Sequence, residues 1–298
     1  MKHFEDIKKL NDFYQVGVKH PLIDIRRYED AHGKKLLKQE PISFDFYVIL
    51  FVKNFNGFIE VGNTRFDGDN GILHFIEPKQ IYTCNSTIPW EGFQILIHPD
   101  IFGEYFAHKN INTYDFFTYE VNEALLLTEE EENLVSHLME MAWNEFHERK
   151  DSFSMSIILS YISTLLNLAE RFYARQFENR KKLGNHLSEK FYELLRNYYL
   201  ERKDDEVQQP TVQFFANKLN VTPNYLSDTL RHQSGQSALS IIHDFIIEEA
   251  KRQLTTTHHT VSEISDHLGF EYPNYFSKLF KRKTKLSPSE YRKSVKSI

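Results

Sequence analysis

Within this 298-residue chain, residues 211–292 repeat a unit, and no other feature limits the fold as strongly. Phe215, Ala216, Leu219 and Val221 correspond to Ile264, Ser265, Leu268 and Phe270 at an offset of 49. One inserted residue later the offset is 50. There Pro223-Asn224-Tyr225-Leu226-Ser227 matches Pro273-Asn274-Tyr275-Phe276-Ser277, and Leu230 matches Phe280. A unit that occurs twice has to form the same local structure twice.

Each copy reads as a short helix, a tight turn and a second helix. Thr211 caps a helix running to about Lys218, and Thr222 caps the next, with Pro223 at the first helical position, where a missing N–H costs nothing. In the second copy Thr260 and Glu263 form a capping box, Gly269 supplies a left-handed helix end, and Pro273 opens the next helix. The small Ala216 and Ser265 stand where two crossing helices come closest. This is helix-turn-helix geometry, over 211–234 and 260–284. Between the copies, Ser237 to Leu254 reads as one helix, with Leu239, Ile242, Phe245, Ile246, Ala250 and Leu254 inward. At about 1.5 Å per residue it spans about 27 Å, close to the roughly 34 Å between successive major grooves on one face of a duplex.

Charge points the same way. The net charge is −6, yet residues 1–185 hold 20 basic and 28 acidic side chains, and residues 251–298 hold 10 against 4. A basic end on an acidic chain suggests a local polyanion-binding surface. The single cysteine, Cys84, excludes an internal disulfide framework and a cysteine-based zinc finger. The longest apolar run, Phe46–Val52, is seven residues, so no membrane span is expected. With no signal-peptide pattern in Met1–Tyr14, the expected location is cytoplasmic.

The first half differs in period. From Ile42 to Pro99, aromatic and β-branched runs alternate with turn dipeptides at Asn56-Gly57, Gly62-Asn63, Asp67-Gly68 and Asn70-Gly71. That pattern predicts antiparallel hairpins in a small sandwich or barrel, over about 20–105. Thr128 with Glu129–Glu132 then starts a helix carrying Leu134, Leu138, Met141, Ala142 and Phe146. A second helix carries Ile157, Ile158, Tyr161, Leu165, Leu168, Phe172 and Tyr173, which makes an αα-hairpin over about 128–178. Arg180 to Asn185 reads as a linker. The expected fold class is α+β multidomain: an antiparallel β-barrel with an αα-hairpin over 1–180, then an all-α tandem helix-turn-helix domain over 186–298.

Residues 191–296 resemble the DNA-binding domain of AraC/XylS-type bacterial transcription regulators. The resemblance rests on Ala216-(x)2-Leu219-Asn220-Val221-Thr222-(x)2-Tyr225-Leu226, on Ala250-(x)3-Leu254, and on Ile264-(x)3-Leu268-Gly269-Phe270. It is sharpest at Tyr275-Phe276-Ser277-(x)2-Phe280-Lys281 and Ser287-Pro288-(x)2-Tyr291-Arg292. The N-terminal half is more weakly similar to the cupin-type sensor barrel and helical hairpin of such regulators. Two positions depart from the pattern: Lys285 stands in place of a glycine after the second recognition helix, and Ile246 in place of an arginine in the connecting helix.

The resemblance implies base-reading positions at Asn224, Ser227, Asp228, Asn274, Ser277 and Lys278. Asn can pair bidentately with adenine, Lys can reach guanine, and Asp can accept from cytosine. Arg231, Lys281 and Arg282 read as phosphate contacts, which position without specifying. The expected partners are double-stranded promoter DNA, a second copy of the chain, a small-molecule effector in the barrel with no residues assigned to it, and RNA polymerase, with activation as the outcome. An alternative is a cupin-type binding protein or enzyme whose helical bundle does not touch DNA. It has little to rest on, since His74 stands alone rather than in a His-x-His pair and His258-His259 falls in a loop. Phe44, Phe46, Phe51, Phe58, Tyr82, Trp90 and Phe93 read as core. No catalytic residue, metal or cofactor is expected.

Overall fold

The computed structural model describes residues 1–29, 41–53, 57–61, 64–68, 71–86, 91–101, 111–120, 123–149, 151–182, 187–199 and 208–296. Asn56, Gly62-Asn63, Asn70, Trp90 and the 183–185 part of the expected linker lie outside them. The chain divides into two units, Met1–Phe177 and Glu178–Ile298.

The first unit begins with β1 (Lys2–Phe4) and α1 (Ile7–Tyr14), both ahead of the span expected for the barrel. There follow β2 (Ile23–Arg27), β3 (Ile42–Phe44), β4 (Tyr47–Lys53), β5 (Gly57–Val61), β6 (Thr64–Gly68), β7 (Ile72–Ile76), β8 (Tyr82–Ser86), β9 (Glu91–Ile97) and the short β10 (Leu125–Leu126). They form two five-stranded sheets, in the orders β1-β3-β8-β5-β6 and β10-β7-β4-β9-β2. All described pairings are antiparallel except β1 with β3.

The expected closed barrel is not formed among the described residues. Closure requires ladder hydrogen bonds that carry one sheet round into itself. Here the end strands of each sheet, β10 and β2 in one and β1 and β6 in the other, do not pair with one another among the described residues. The result is a sandwich, in which a core of Val48, Leu50, Val52, Ile72, Ile76 and Leu96 from one sheet meets Ile42, Phe44 and Tyr82 from the other.

The hairpin helices are α2 (Glu129–Glu148) and α3 (Ser154–Lys182). Thr128 and Glu131 form the capping box expected at the start of α2. The buried stripe of α2 is Val135, Met139, Ala142 and Phe146, one residue out of phase with the expected one. Ala142 and Phe146 belong to both stripes, whereas Leu134 and Met141 are exposed. On α3, Ile158, Leu165, Phe172 and Tyr173 are buried as expected, while Ile157, Tyr161 and Leu168 are half-buried. Arg175 of α3 joins the helices by a bond from Nε to Glu131 Oε1 at 3.0 Å.

The second unit is all helical: α4 (Leu187–Asn197), α5 (Val212–Leu219), α6 (Pro223–Ser234), α7 (Ala238–Thr256), α8 (Val261–His267), α9 (Pro273–Thr284) and α10 (Pro288–Lys296). One core joins them, in which Phe191, Phe215, Leu226, Leu230, Ile242, Ile246, Leu254, Ile264, Leu268, Phe276 and Phe280 are fully or almost fully buried. Among the described residues, no helix is long and apolar enough to cross a membrane.

Candidate nucleic-acid interface

The two copies share the cap of their first helix and the closure of their turn, while only the first caps its recognition helix with a side chain, Thr222 Oγ1 accepting from Tyr225 N at 3.2 Å. Thr211 Oγ1 accepts from Phe214 N at 3.1 Å, and Thr260 Oγ1 accepts from Glu263 N at 3.2 Å. Asn220 ends α5 in the left-handed region at φ 55°, and Gly269 takes that role after α8 at φ 86°. Across each turn one backbone bond closes the loop: Val221 N donates to Ala216 O at 3.1 Å, and Phe270 N to Ser265 O at 3.1 Å. Ala216 and Ser265 are both fully buried at the crossing, as their small size requires. The recognition helices α6 and α9 each start on a proline, Pro223 and Pro273. They end on Gly235 at φ 77° and Lys285 at φ 68°, so Lys285 adopts the left-handed conformation where glycine would be easier.

α7 separates the copies. Its 19 residues, capped by Ser237, measure about 28 Å at 1.5 Å per residue. Ile242, Ile246, Ala250 and Leu254 are buried as expected, and Ile246 is wholly within the core, which explains an aliphatic side chain there. Leu239 does not join them, being 50% exposed in the first turn of the helix.

The proposed reading residues differ between copies. On α9, Asn274, Lys278, Lys281 and Arg282 are exposed and Ser277 is half-buried, while Phe276, Leu279 and Phe280 fill the core. On α6, Asn224 and Ser227 are half-buried and Arg231 is exposed. Asp228, expected outward, is buried instead, and its Oδ1 accepts from Nη1 of Arg231 one turn later. A carboxylate taken into the protein needs a cation, and Arg231 at i+3 is the nearest one its own helix offers.

Several C-terminal cations are likewise occupied. Lys283 Nζ lies 2.7 Å from Asp244 Oδ1. Arg292 donates to Leu254 O at 3.1 Å and His259 O at 2.6 Å, tying α10 to the end of α7. Lys278, Lys281 and Arg282 make no ion pair among the described residues, so α9 presents three exposed cations.

Two tyrosines join that surface. Tyr272 and Tyr275 are 54% and 63% exposed, with ring centroids 5.8 Å apart. They line an open cleft of about 460 Å³ together with His243, Lys278, Leu279 and Arg282. Burial, then Arg282 and Lys283, pushes the His243 imidazole down. Tyr275 was not separable from core by spacing alone; its partner Tyr272 precedes the helix, where periodicity carries no signal. Away from this unit, His74 is fully buried. Among the described residues no group of three or more His, Cys, Asp or Glu could hold a metal ion.

Residues 215–294 match a family model described as a helix-turn-helix domain. The arabinose operon regulatory protein of Escherichia coli K12 is 39% identical over 77 residues, 26% of this chain and 26% of that protein. The raffinose operon transcriptional regulatory protein RafR of Pediococcus pentosaceus is 28% identical over 131 residues, 38% of this chain and 47% of that protein. The matches therefore span less than half the length of these curated relatives. Among solved structures, the C-terminal domain of the response regulator yesN from Fusobacterium nucleatum is 31% identical with a TM-score of 0.30. That match covers 34% of this chain and 96% of that one.

Proposed function

We propose that this chain, whose C-terminal unit carries a helix-turn-helix domain of the AraC type, is a sequence-specific transcription regulator of promoter DNA. The observation that carries this reading is the pair of matched helix-turn-helix units in one core, joined by a single helix about as long as the spacing of major grooves. Asn274, Ser277 and Lys278 of α9 read bases, with Lys281 and Arg282 on phosphates. Asn224 and Ser227 of α6 read a second groove.

The N-terminal unit senses a small-molecule effector and dimerises. Binding shifts the populations of DNA-competent and incompetent dimers, and contact with RNA polymerase turns the competent one into an activator. Dimerisation is supported by α2, where Leu134, Leu138 and Met141 recur at i, i+4 and i+7 outside the unit's own core, Leu134 being 47% exposed. The occupant of that stripe is the same stripe of a second copy. Sedimentation is expected to show a dimer at micromolar concentration, and a monomer of unchanged helicity for the Leu138→Glu, Met141→Glu double variant. A wild-type monomer would remove the dimer from the account.

The function is tested with a labelled duplex taken from upstream of the coding region. Its affinity should exceed that of a scrambled duplex by about a thousandfold or more and fall linearly with salt on logarithmic axes. Equal affinity for both duplexes, or none, would overturn the reading.

A further inference from the structure

The two copies of the repeat part company at the entry to the recognition helix. At the offset of 50, Thr222 corresponds to Tyr272 and Tyr225 to Tyr275. Thr222 caps α6 by accepting from Tyr225 N, and Tyr225 is buried in the core. Tyr272 makes no cap bond to α9, and both Tyr272 and Tyr275 stand more than half exposed. The second copy thus gives up a side-chain cap and a core aromatic and gains two rings on its surface. Those rings line the open cleft of about 460 Å³ beside α9, to which α7 contributes His243. Tyr275, Lys278 and Arg282 recur at i, i+3 and i+7, one stripe of α9, next to the buried stripe of Phe276, Leu279 and Phe280. Lys278, a proposed base reader, is part of the cleft wall, so the cleft borders the surface on which a duplex held by α9 would lie.

The chemistry of the cleft is that of donors. Among the described residues, no hydrogen bond uses the His243 ring, the phenols of Tyr272 and Tyr275, the Lys278 ammonium or the Arg282 guanidinium. Arg and Lys donate and never accept, and a phenol donates readily to an anion. Glu271 also lines the cleft, exposed to solvent, and the two cations outweigh it. His243 is half-buried. Arg282 and Lys283 of α9 face it and oppose an imidazolium, while Asp244 beside it on α7 favours one. Asp244 is already engaged, by Lys283 Nζ at 2.7 Å and by Gln236 Nε2 at 3.2 Å. Burial and the two cations together hold the imidazole below its usual range. An anion seated between Arg282 and His243 would offset the guanidinium and attract the imidazolium, which turns the same surroundings in favour of the charged ring.

We propose that His243, Tyr272, Tyr275 and Arg282 seat a backbone phosphate of the strand bordering the groove that α9 enters, and that His243 takes up a proton when the duplex binds. This deepens the proposed function and rests on it. Arg282 supplies the permanent charge and the two phenols supply neutral donors, with their rings against the deoxyribose. His243 supplies a charge that exists only while the phosphate is there. The seat belongs to the second copy alone, since the first has Thr222 and the buried Tyr225 at the matching positions. It therefore makes binding by α9 depend on pH in a way that binding by α6 does not.

The test is fluorescence anisotropy of the full chain on the labelled upstream duplex, from pH 8 to pH 6 at fixed ionic strength. The ratio of wild-type to His243→Gln affinity should grow about fivefold as the pH falls over that range, because the imidazole gains charge and glutamine cannot. Each phosphate is then replaced singly by a neutral methylphosphonate. At one position the loss of affinity at pH 6 should be about fivefold greater for wild type than for His243→Gln. Tyr272→Phe combined with Tyr275→Phe keeps both rings and removes both phenols, and should weaken binding about tenfold with helicity unchanged. A ratio independent of pH, no phosphate at which wild type and variant differ, or full affinity in the tyrosine double variant would overturn the seat. Any of these, with the upstream duplex still preferred over a scrambled one, leaves the regulator standing. Equal affinity for both duplexes, or none, defeats the regulator and the seat with it.

Discussion

Asp228 shows how one buried carboxylate changes what a recognition helix offers. Its neighbour Arg231 is the phosphate candidate of α6, and the pair neutralises itself before any duplex arrives. Asp228→Asn keeps the shape and removes the charge, so Arg231 is released. Binding should tighten, and the slope of log affinity against log salt should steepen by about 1. Weaker binding at one base pair only would make Asp228 a reader of cytosine instead. Spacing placed Asp228 on the outer half of the helix, and it could not show that an arginine three residues on would draw it under cover. The same limit applies to His74, whose burial and unpaired ring nitrogens no spacing could show. Its pKa is lowered from 6.5 to about 3 by burial. The unfolded chain therefore takes up this proton first, and stability present above pH 6.5 is lost as the pH falls from there toward 3. Tm measured between pH 7 and 5 should fall less steeply in His74→Leu than in wild type. Equal slopes would show that His74 is not neutral in the fold.

Helix ends and turns were the most legible elements, because a cap is a local bargain between a side chain and three or four backbone groups. Thr211, Thr222, Thr260 with Glu263, and Thr128 with Glu131 all cap where their spacing predicts. Gly269 and Lys285 test how strictly these ends are held. A Cβ at Gly269 would sit 2.3 Å from the backbone carbon of Gln208, on a residue already at φ 86°. Gly269→Ala should destabilise the C-terminal unit by about 2–4 kcal/mol, through strain and a backbone collision together. Lys285→Gly works in the opposite sense, relieving a left-handed lysine at φ 68°, and should stabilise by about 1 kcal/mol. Urea midpoints of the two variants check both signs; a neutral Gly269→Ala would mean that the 208–209 segment moves aside. Helix phase was less legible. On α2 two apolar stripes interleave, one through Leu134 and Met141 and one through Val135 and Met139, and both satisfy the 3.6-residue period. Packing against the sheet chose the second. The strands β1 and β10 were missed because three and two residues are too short to display a period at all.

At the scale of the whole molecule, the repeat fixed one half of the fold and the hairpin pattern fixed only the class of the other. Two copies of a unit with its own caps leave little choice of local structure. Short strands with turn signals, by contrast, fit a sandwich and a barrel equally, since closure depends on which edges pair across long loops. The consequence of the repeat can be measured on DNA rather than on the protein. α7 is one helix whose buried face, from Ile241 to Leu254, runs through the core shared by both helix-turn-helix units. The spacing of α6 and α9 is therefore set by a stiff element that cannot stretch to follow its target. Five base pairs inserted between the two sub-sites rotate one of them by about half a turn of a helix that repeats every 10–10.5 base pairs. Only one recognition helix can then enter its groove, and affinity should fall toward that of a duplex in which the α6 sub-site is scrambled. Ten inserted base pairs restore the rotation but add about 34 Å of rise, so they should not restore affinity. Retained affinity after the five-pair insertion would show that one unit binds alone, with α9 the one to expect from its unpaired Lys278, Lys281 and Arg282.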